Sequence, residues 1–273
     1  MSSRTDSTGR ALVVSQPHTP YVWRVVENQL QVYLKFWRGP LIAYVVTPTL
    51  FLAALGVGVG GLISQRSGSV GGVTYLEFVA PGLIASSAMQ AAAGASMWPV
   101  MGGLQWVRTF HAMIATPIEP REVYAGLVLF DSLRTGIGAT IFLIITALFG
   151  GMRSFSGVLA VPAAVLCAAA VAAPLTAFTA TQETDNRFPV IMRLGVMPLF
   201  LFSGAFFPIS QLPHTLRGVV WVSPLYHGVE LARRATTGHL ALGPMAAHTG
   251  ILLAIIAVGS VWGFHTFTKR LKP

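Results

Sequence analysis

The chain has 273 residues, of which 53% are hydrophobic and only 10% charged, with a formal net charge of +9. Soluble domains carry about 25% charged residues, so a water-facing surface cannot be built from this composition, and lipid is the alternative solvent. In a membrane protein an excess of Lys and Arg reports basic cytoplasmic loops facing anionic lipid rather than nucleic acid, so membrane lipid is an expected partner and nucleic acid is not.

Residues 1–20, rich in Ser, Thr, Arg and Gly, read as a mobile tail too polar for a secretory signal. Residues 21–38 follow. Val22, Val26, Leu30, Tyr33 and Trp37 recur every three or four positions, and Arg24, Glu27, Asn28, Gln31, Lys35 and Arg38 form the opposite stripe. That pattern predicts an amphipathic helix in the membrane interface, with Trp23 and Trp37 at headgroup level.

About 20 apolar residues cross the hydrocarbon core. Six stretches qualify or nearly qualify, over residues 40–63, 78–101, 123–150, 157–181, 188–207 and 245–268. The expected fold is therefore an all-α polytopic membrane protein with six transmembrane helices, residues 21–273 forming one transmembrane domain. Twelve Lys and Arg fall on the side that holds both termini and five on the other, which predicts cytoplasmic termini.

Between the second and third spans, residues 102–122 mix Leu104, Trp106, Val107, Phe110, Met113 and Ile114 with polar residues. A short helix there should stop near Thr116 and Pro117, and its apolar side chains need a partner, either headgroups or another protein. Within the third span, Asp131 and Arg134 share a helix face. An unpaired charge at that depth costs about 3 kcal/mol. Either they neutralise each other facing the bundle, or they lie on a substrate path or subunit interface. Further on, Gly204, Pro208 and Pro213 interrupt an apolar run. Broken backbone at membrane depth is tolerated only inside protein or along a cavity, so an outer re-entrant hairpin is expected between spans five and six. Residues 214–242 are too polar to span. Leu216, Val219, Val220 and Trp221, then Val229 and Leu231, suggest short helices lying on the outer surface.

No catalytic constellation is visible. Gly56, Gly58 and Gly61 fit GxGxxG, but no strand precedes them, and no P-loop sequence occurs. The seven histidines show no metal spacing. The single cysteine, Cys167, lies in an apolar run and excludes an intramolecular disulfide. Glu183 and Asp185 sit in a turn.

These features resemble the type-2 ABC exporter permeases, especially the nodulation-factor (lipo-chitooligosaccharide) and daunorubicin-type export branch. The resemblance rests on the helix at residues 21–38, on TPIEPREVYAG (residues 116–126), and above all on GVMPLFLFSGAFFPISQLP (residues 195–213) followed by SPLYHGVELAR (residues 223–233). It implies a non-catalytic half-transporter in a bacterial inner (plasma) membrane, paired with a second permease copy or paralogue. Power would come from a separate ATP-binding-cassette ATPase, so ATP and Mg would bind the partner and no cofactor this chain. The resemblance also implies a coupling loop at residues 102–122, with Trp106, Arg108, Phe110, His111 and Met113 meeting the ATPase, and an outer gate of Phe206, Phe207 and Pro208. Export of an amphipathic cargo (a lipid-linked or acylated saccharide such as a lipooligosaccharide, or a hydrophobic drug, as in drug efflux) follows the same resemblance. The alternatives are a secondary transporter, for which only Asp131 offers a mid-membrane acid and no internal repeat is visible, and a membrane-embedded lipid-modifying enzyme, which would need clustered polar residues at one membrane face.

Overall fold

A computed structural model describes residues 21–61, 72–211 and 213–272. The N-terminal tail, the last residues of the first expected span and Arg66 lie outside the described residues. Among the described residues the regular structure is helical, without a sheet. Helix α1 is Tyr21–Lys35. Helix α2, Arg38–Phe51, continues into π-helical turns over Leu52–Val59. Helix α3, Tyr75–Met101, widens into π-helical turns at Gly102–Trp106. Helix α4 is Thr109–Ile114 and α5 is Pro120–Leu148. Helix α6, Ala160–Thr179, follows a 3₁₀ turn at Phe155–Leu159. The apolar helix α7 covers Phe188–Phe202. Helices α8 (His214–Val222), α9 (Pro224–Thr237) and α10 (Leu242–Leu271) complete the chain.

Among the described residues, five helices are long and apolar enough to cross a membrane: Arg38–Gly56, Tyr75–Trp106, Pro120–Leu148, Phe155–Thr179 and Leu242–Leu271. The fifth expected span is shorter than the sequence suggested. At about 1.5 Å per residue, Phe188–Phe202 reaches less far than the ~30 Å hydrocarbon core. Its middle, Ile191–Val196, is π-wound, and the chain leaves the helix at Ser203.

Local chemistry sets the helix boundaries. Thr74 and Glu77 form a reciprocal capping box at the start of α3: the Thr74 N–H donates to Glu77 Oε2 (2.8 Å) and the Glu77 N–H to Thr74 Oγ1 (3.3 Å). Glu119 and Glu122 do the same for α5, with Pro120 in the first turn, where its missing N–H is harmless. Helix α4 stops before Pro117, as the sequence predicted.

Helix α6 is the hub, packed by α3, α5, α9 and α10. It carries Ala at most buried positions, and small residues let helix backbones approach closely in lipid. A Cβ placed on Gly259 of α10 would lie 2.8 Å from the Pro174 nitrogen. Beside this contact the Tyr124 hydroxyl donates to the carbonyls of Ala173 (3.0 Å) and Gly259 (3.1 Å), joining α5, α6 and α10. Tyr124→Phe is expected to lower stability by about 1 kcal/mol without changing the fold, measurable as a lower midpoint of thermal unfolding in detergent.

One expectation is corrected here. Of the segments read as helices on the outer surface, α9 is buried: Leu225, His227, Gly228, Val229, Leu231 and Ala232 all lie inside. It packs on α3, α6 and α10. Gly228 makes the contact possible, because a Cβ there would lie 2.6 Å from Cys167 Cβ. The polar residues that disqualified this stretch as a span sit on a helix buried among other helices. Only α8 keeps large apolar side chains exposed, at Trp221 and Val222.

Candidate functional site

At one end of the bundle, α1, α4, α5 and the last turns of α10 share an apolar cluster that includes Val25, Leu104, Phe110, Tyr124, Phe267 and Leu271. Val25 lies against Gly126, where a Cβ would approach its own Cβ to 2.6 Å, so α1 is clamped onto α5. The sequence pattern placed Val26 on the apolar stripe and missed Val25. The helix ends at Lys35, short of the expected residue 38, and Trp23 on it and Trp37 just beyond it are exposed.

The loop expected to meet a partner begins in the π-helical turns at Gly102–Trp106 and reverses at Arg108, which holds φ +57°, the sole non-glycine positive φ among the described residues. This turn divides the five side chains singled out in the sequence. Trp106 is 60% exposed and its neighbour Val107 72%. Arg108 and His111 are exposed too. Phe110 is 2% exposed, with its ring over Gly103, a position that has no room for a Cβ. Phe110 also tilts against Phe267 at 6.5 Å, and Met113 is half-buried. Phe110 therefore belongs to the core beneath the loop and is not available for surface contact, while Trp106 and Val107 are.

Beyond the end of α7 the backbone breaks. Gly204 takes φ +81°, a conformation open to glycine. Ala205 follows it against α3, so close that a Cβ on Gly82 would lie 2.7 Å from Ala205 Cα. Phe206 meets Phe200 edge-on at 4.9 Å, and Phe206, Phe207 and Pro208 are half-buried. A residue not singled out in the sequence fastens this break. Arg233 of α9 donates through Nη2 to the Gly204 carbonyl (2.6 Å), pairs through Nη1 with Glu230 Oε1 (3.0 Å), and lies 4.1 Å from the centroid of the Phe78 ring. The available signal was Glu230 three residues before Arg233 on a helix face, obscured by the reading of this stretch as a surface helix.

In the interior, Arg134 Nη2 donates to Asp131 Oδ1 at 2.6 Å and approaches the Ala91 carbonyl of α3 at 3.4 Å. The pair thus faces α3, inside the bundle.

Two histidines with no sequence relation meet between α9 and α10. His227 Nδ1 and His248 Nδ1 are 2.7 Å apart, and His227 Nε2 is 2.9 Å from the Trp221 carbonyl. A carbonyl only accepts, so His227 Nε2 carries a hydrogen. In the neutral pair His248 Nδ1–H then donates to His227 Nδ1. Burial lowers the affinity of His227 for a second proton below its ordinary value of 6.5, and the Trp221 carbonyl opposes this more weakly. With the folded value depressed, the unfolded chain binds more protons as pH falls below about 6.5, so stability present above that pH is lost on acidification. Thermal unfolding in detergent should shift to lower temperature between pH 7.5 and 5.5, and His227→Gln should flatten that dependence. Among the described residues no group of three or more His, Cys, Asp or Glu could hold a metal.

Among the described residues, five helices long and apolar enough to cross a membrane, the shorter apolar helix α7 and an amphipathic entry helix define a multi-pass helical membrane protein. Residues 22–236 match the family described as ABC-2 type transporter. The chain belongs to that family and is one of its membrane permeases. It is 28% identical over 250 residues to Nodulation protein J of Rhizobium leguminosarum bv. viciae, covering 92% of this chain and 93% of that protein. It is 26% identical over 251 residues to Nodulation protein J of Rhizobium meliloti, covering 92% and 91%. Inner membrane transport permease YadH of Escherichia coli is 22% identical over 232 residues, covering 84% and 87%.

Proposed function

We propose that this chain is the membrane-spanning subunit of an exporter powered by a separate ATP-binding-cassette ATPase, which binds the ATP and Mg. The observation that carries this reading is the loop at Trp106 and Arg108. Two large apolar side chains are held outward there on a sharp backbone reversal, with Phe110 and half-buried Met113 anchoring the loop from below. Isolated exposed Trp and Val at a rigid turn fit a pocket on a partner protein. Trp106, Val107, Arg108 and His111 form the docking face, and Phe110 transmits its movement to α10 through Phe267. We take that end as the cytoplasmic one because Arg108, Arg121, Arg187, Lys269 and Arg270 all fall on the more basic side in the sequence.

Two permease copies, or this chain and a paralogue, enclose the route in a bacterial inner membrane, and Phe206, Phe207 and Pro208 form its outer gate. Nucleotide binding drives the change because the ATPase favours one of two permease states. The name of one relative, an inner membrane transport permease, supports transport across a membrane, and we take the cargo to be amphipathic, such as an acylated saccharide, from the sequence resemblance to export permeases. The test is co-purification of the tagged full chain from its native membranes. An ATP-binding-cassette subunit recovered with the wild type and lost with Trp106→Asp supports the reading, and recovery unaffected by Trp106→Asp and Val107→Asp contradicts the docking face.

A further inference from the structure

Helix α9 is tied down at its two ends by polar contacts of different kinds. At the C-terminal end the Thr236 carbonyl accepts from the N–H groups of Arg153 (3.2 Å) and Ser154 (3.1 Å), and the Ala235 carbonyl accepts from Ser156 Oγ (2.7 Å). Backbone groups and a hydroxyl do not titrate between pH 5 and 8, so this end is a fixed pivot. Near the N-terminal end the polar tie to α10 is the bond between His227 and His248, 2.7 Å from Nδ1 to Nδ1. His248 lies in the second turn of α10, at the opposite end of that helix from Phe267. One tie of α9 therefore depends on protons and the other does not.

The partners of the pair fix what each proton does. His227 Nε2–H donates to the Trp221 carbonyl of α8 in every charge state, so His227 Nδ1 is the acceptor for His248 Nδ1–H. A first proton goes to His248 Nε2 and leaves that bond in place. A second must take His227 Nδ1, which turns the acceptor into a donor and sets two imidazolium rings against each other. His227 is fully buried, and His248 is 7% exposed near exposed Trp221, so protons enter from the His248 side. Burial holds His227 below its ordinary value, and the second charge arrives only as pH falls below about 6.5.

The surroundings do not absorb that charge. Glu230 and Arg234 face His248 from α9, but Glu230 is already paired with Arg233 at 3.0 Å and lies 3.8 Å from Arg234. Tyr226 packs on both rings, at 5.1 and 5.6 Å between centroids. Among the helices packed on α9, α6 carries one titratable side chain, the fully buried Cys167. Helix α3 carries Tyr75 and Glu77 in its first turn, and Glu77 is committed to the Thr74 N–H. On α8, Arg217 reaches the Ser210 carbonyl. A doubly charged pair thus has two arginines and a single carboxylate close by, and the two rings repel.

We propose that His227 and His248 form a proton-operated latch: neutral or singly protonated it holds α9 to α10, and doubly protonated it releases the N-terminal end of α9, which swings about its C-terminal contacts. Two neighbours move with it. Trp221 ties α8 to the released end through His227, and Arg233 ties the backbone break at Gly204 to α9 at 2.6 Å. The segment with Phe206, Phe207 and Pro208 thereby becomes responsive to acid, a regulation that does not depend on how the exporter is powered.

The experiment uses the full chain in phosphatidylcholine nanodiscs, without ATPase, with nitroxides on Val222→Cys of α8 and Leu242→Cys of α10. Both positions are exposed, and Cys167 is fully buried and should stay unlabelled. Double electron–electron resonance should show the distance between them lengthening by about 3 Å, room for a water between the rings, as pH falls from about 8 to about 5, and shortening again on neutralisation. A reference pair, Leu148→Cys with Leu242→Cys, should not move. His248→Glu replaces the repulsion by an ion pair with protonated His227 and should hold the shorter distance across the whole range, which a merely structural role for His248 would not produce. The curve of the chain with His248 intact carries the test if that variant fails to fold. A distance that ignores pH, a change that persists in His248→Glu, or a reference pair that moves equally overturns the proposal.

Discussion

Trp106→Asp is expected to abolish ATP-driven transport while the protein remains folded in the membrane. Trp106 is 60% exposed and Val107 72%, so a carboxylate at either position stays solvated and costs the isolated chain little, within about 0.5 kcal/mol. The same carboxylate in a docking pocket loses the buried apolar contact and is desolvated without a partner, which removes at least about 2 kcal/mol of association and shifts the complex apart. Phe110→Asp is the contrasting case. Its ring fills the space over Gly103 beside Phe267, and losing an aromatic side chain from such a site costs about 3–5 kcal/mol before the buried charge is counted. Phe110→Asp should therefore be lost during folding. The check combines expression and thermal unfolding of each variant with ATPase stimulation by the reconstituted pair. Normal folding of Phe110→Asp with normal stimulation would refute the inward placement of the ring.

The second large effect is expected at Arg233. Removing it takes away the 2.6 Å donor of the Gly204 carbonyl and the nearer of the two arginines paired with Glu230, at 3.0 Å. The pair is half-buried and Glu230 keeps Arg234 at 3.8 Å, so the cost lies mainly in the charge-assisted bond to the Gly204 carbonyl, about 2 kcal/mol. The loss falls on one place, the backbone break after α7, because Arg233 reaches it from α9 while resting on Phe78 of α3. Arg233→Ala should lower the unfolding midpoint and loosen the segment around Phe206. Arg233→Lys should recover only part of the loss, since an ammonium cannot reproduce the forked guanidinium contacts. The readout is the labelling rate of Phe206→Cys by a polar maleimide, with and without Arg233→Ala. Cys167 is fully buried and should remain silent. An unchanged rate would mean that Arg233 does not hold the break.

Sequence legibility tracked the solvent. Long, predominantly apolar runs announce helices in lipid, so α2, α3, α5, α6 and α10 could be read directly, and proline with a dihedral preference against helix marked the end of α4. Composition cannot separate a helix buried in protein from one lying on a surface, which is why α9, with its Glu230, Arg233 and Arg234, was misplaced. Partners distant in the chain were invisible for the same reason. Arg233 reaches Gly204, and His227 meets His248, through the packing of α9 alone. The pairing of Asp131 with Arg134 was legible because three residues on one helix fix it. The inward turn of Phe110 was not, because it follows from the left-handed conformation of Arg108, which no side-chain pattern encodes.

Reconstitution in sealed proteoliposomes tests the source of energy most directly. Vesicles holding this chain and the ATP-binding-cassette subunit that co-purifies with it should accumulate or release a fluorescent acylated saccharide when ATP is added, and vesicles holding this chain alone should neither hydrolyse ATP nor move the lipid. Uptake or release by the chain alone, driven by an imposed proton or sodium gradient, would contradict the account.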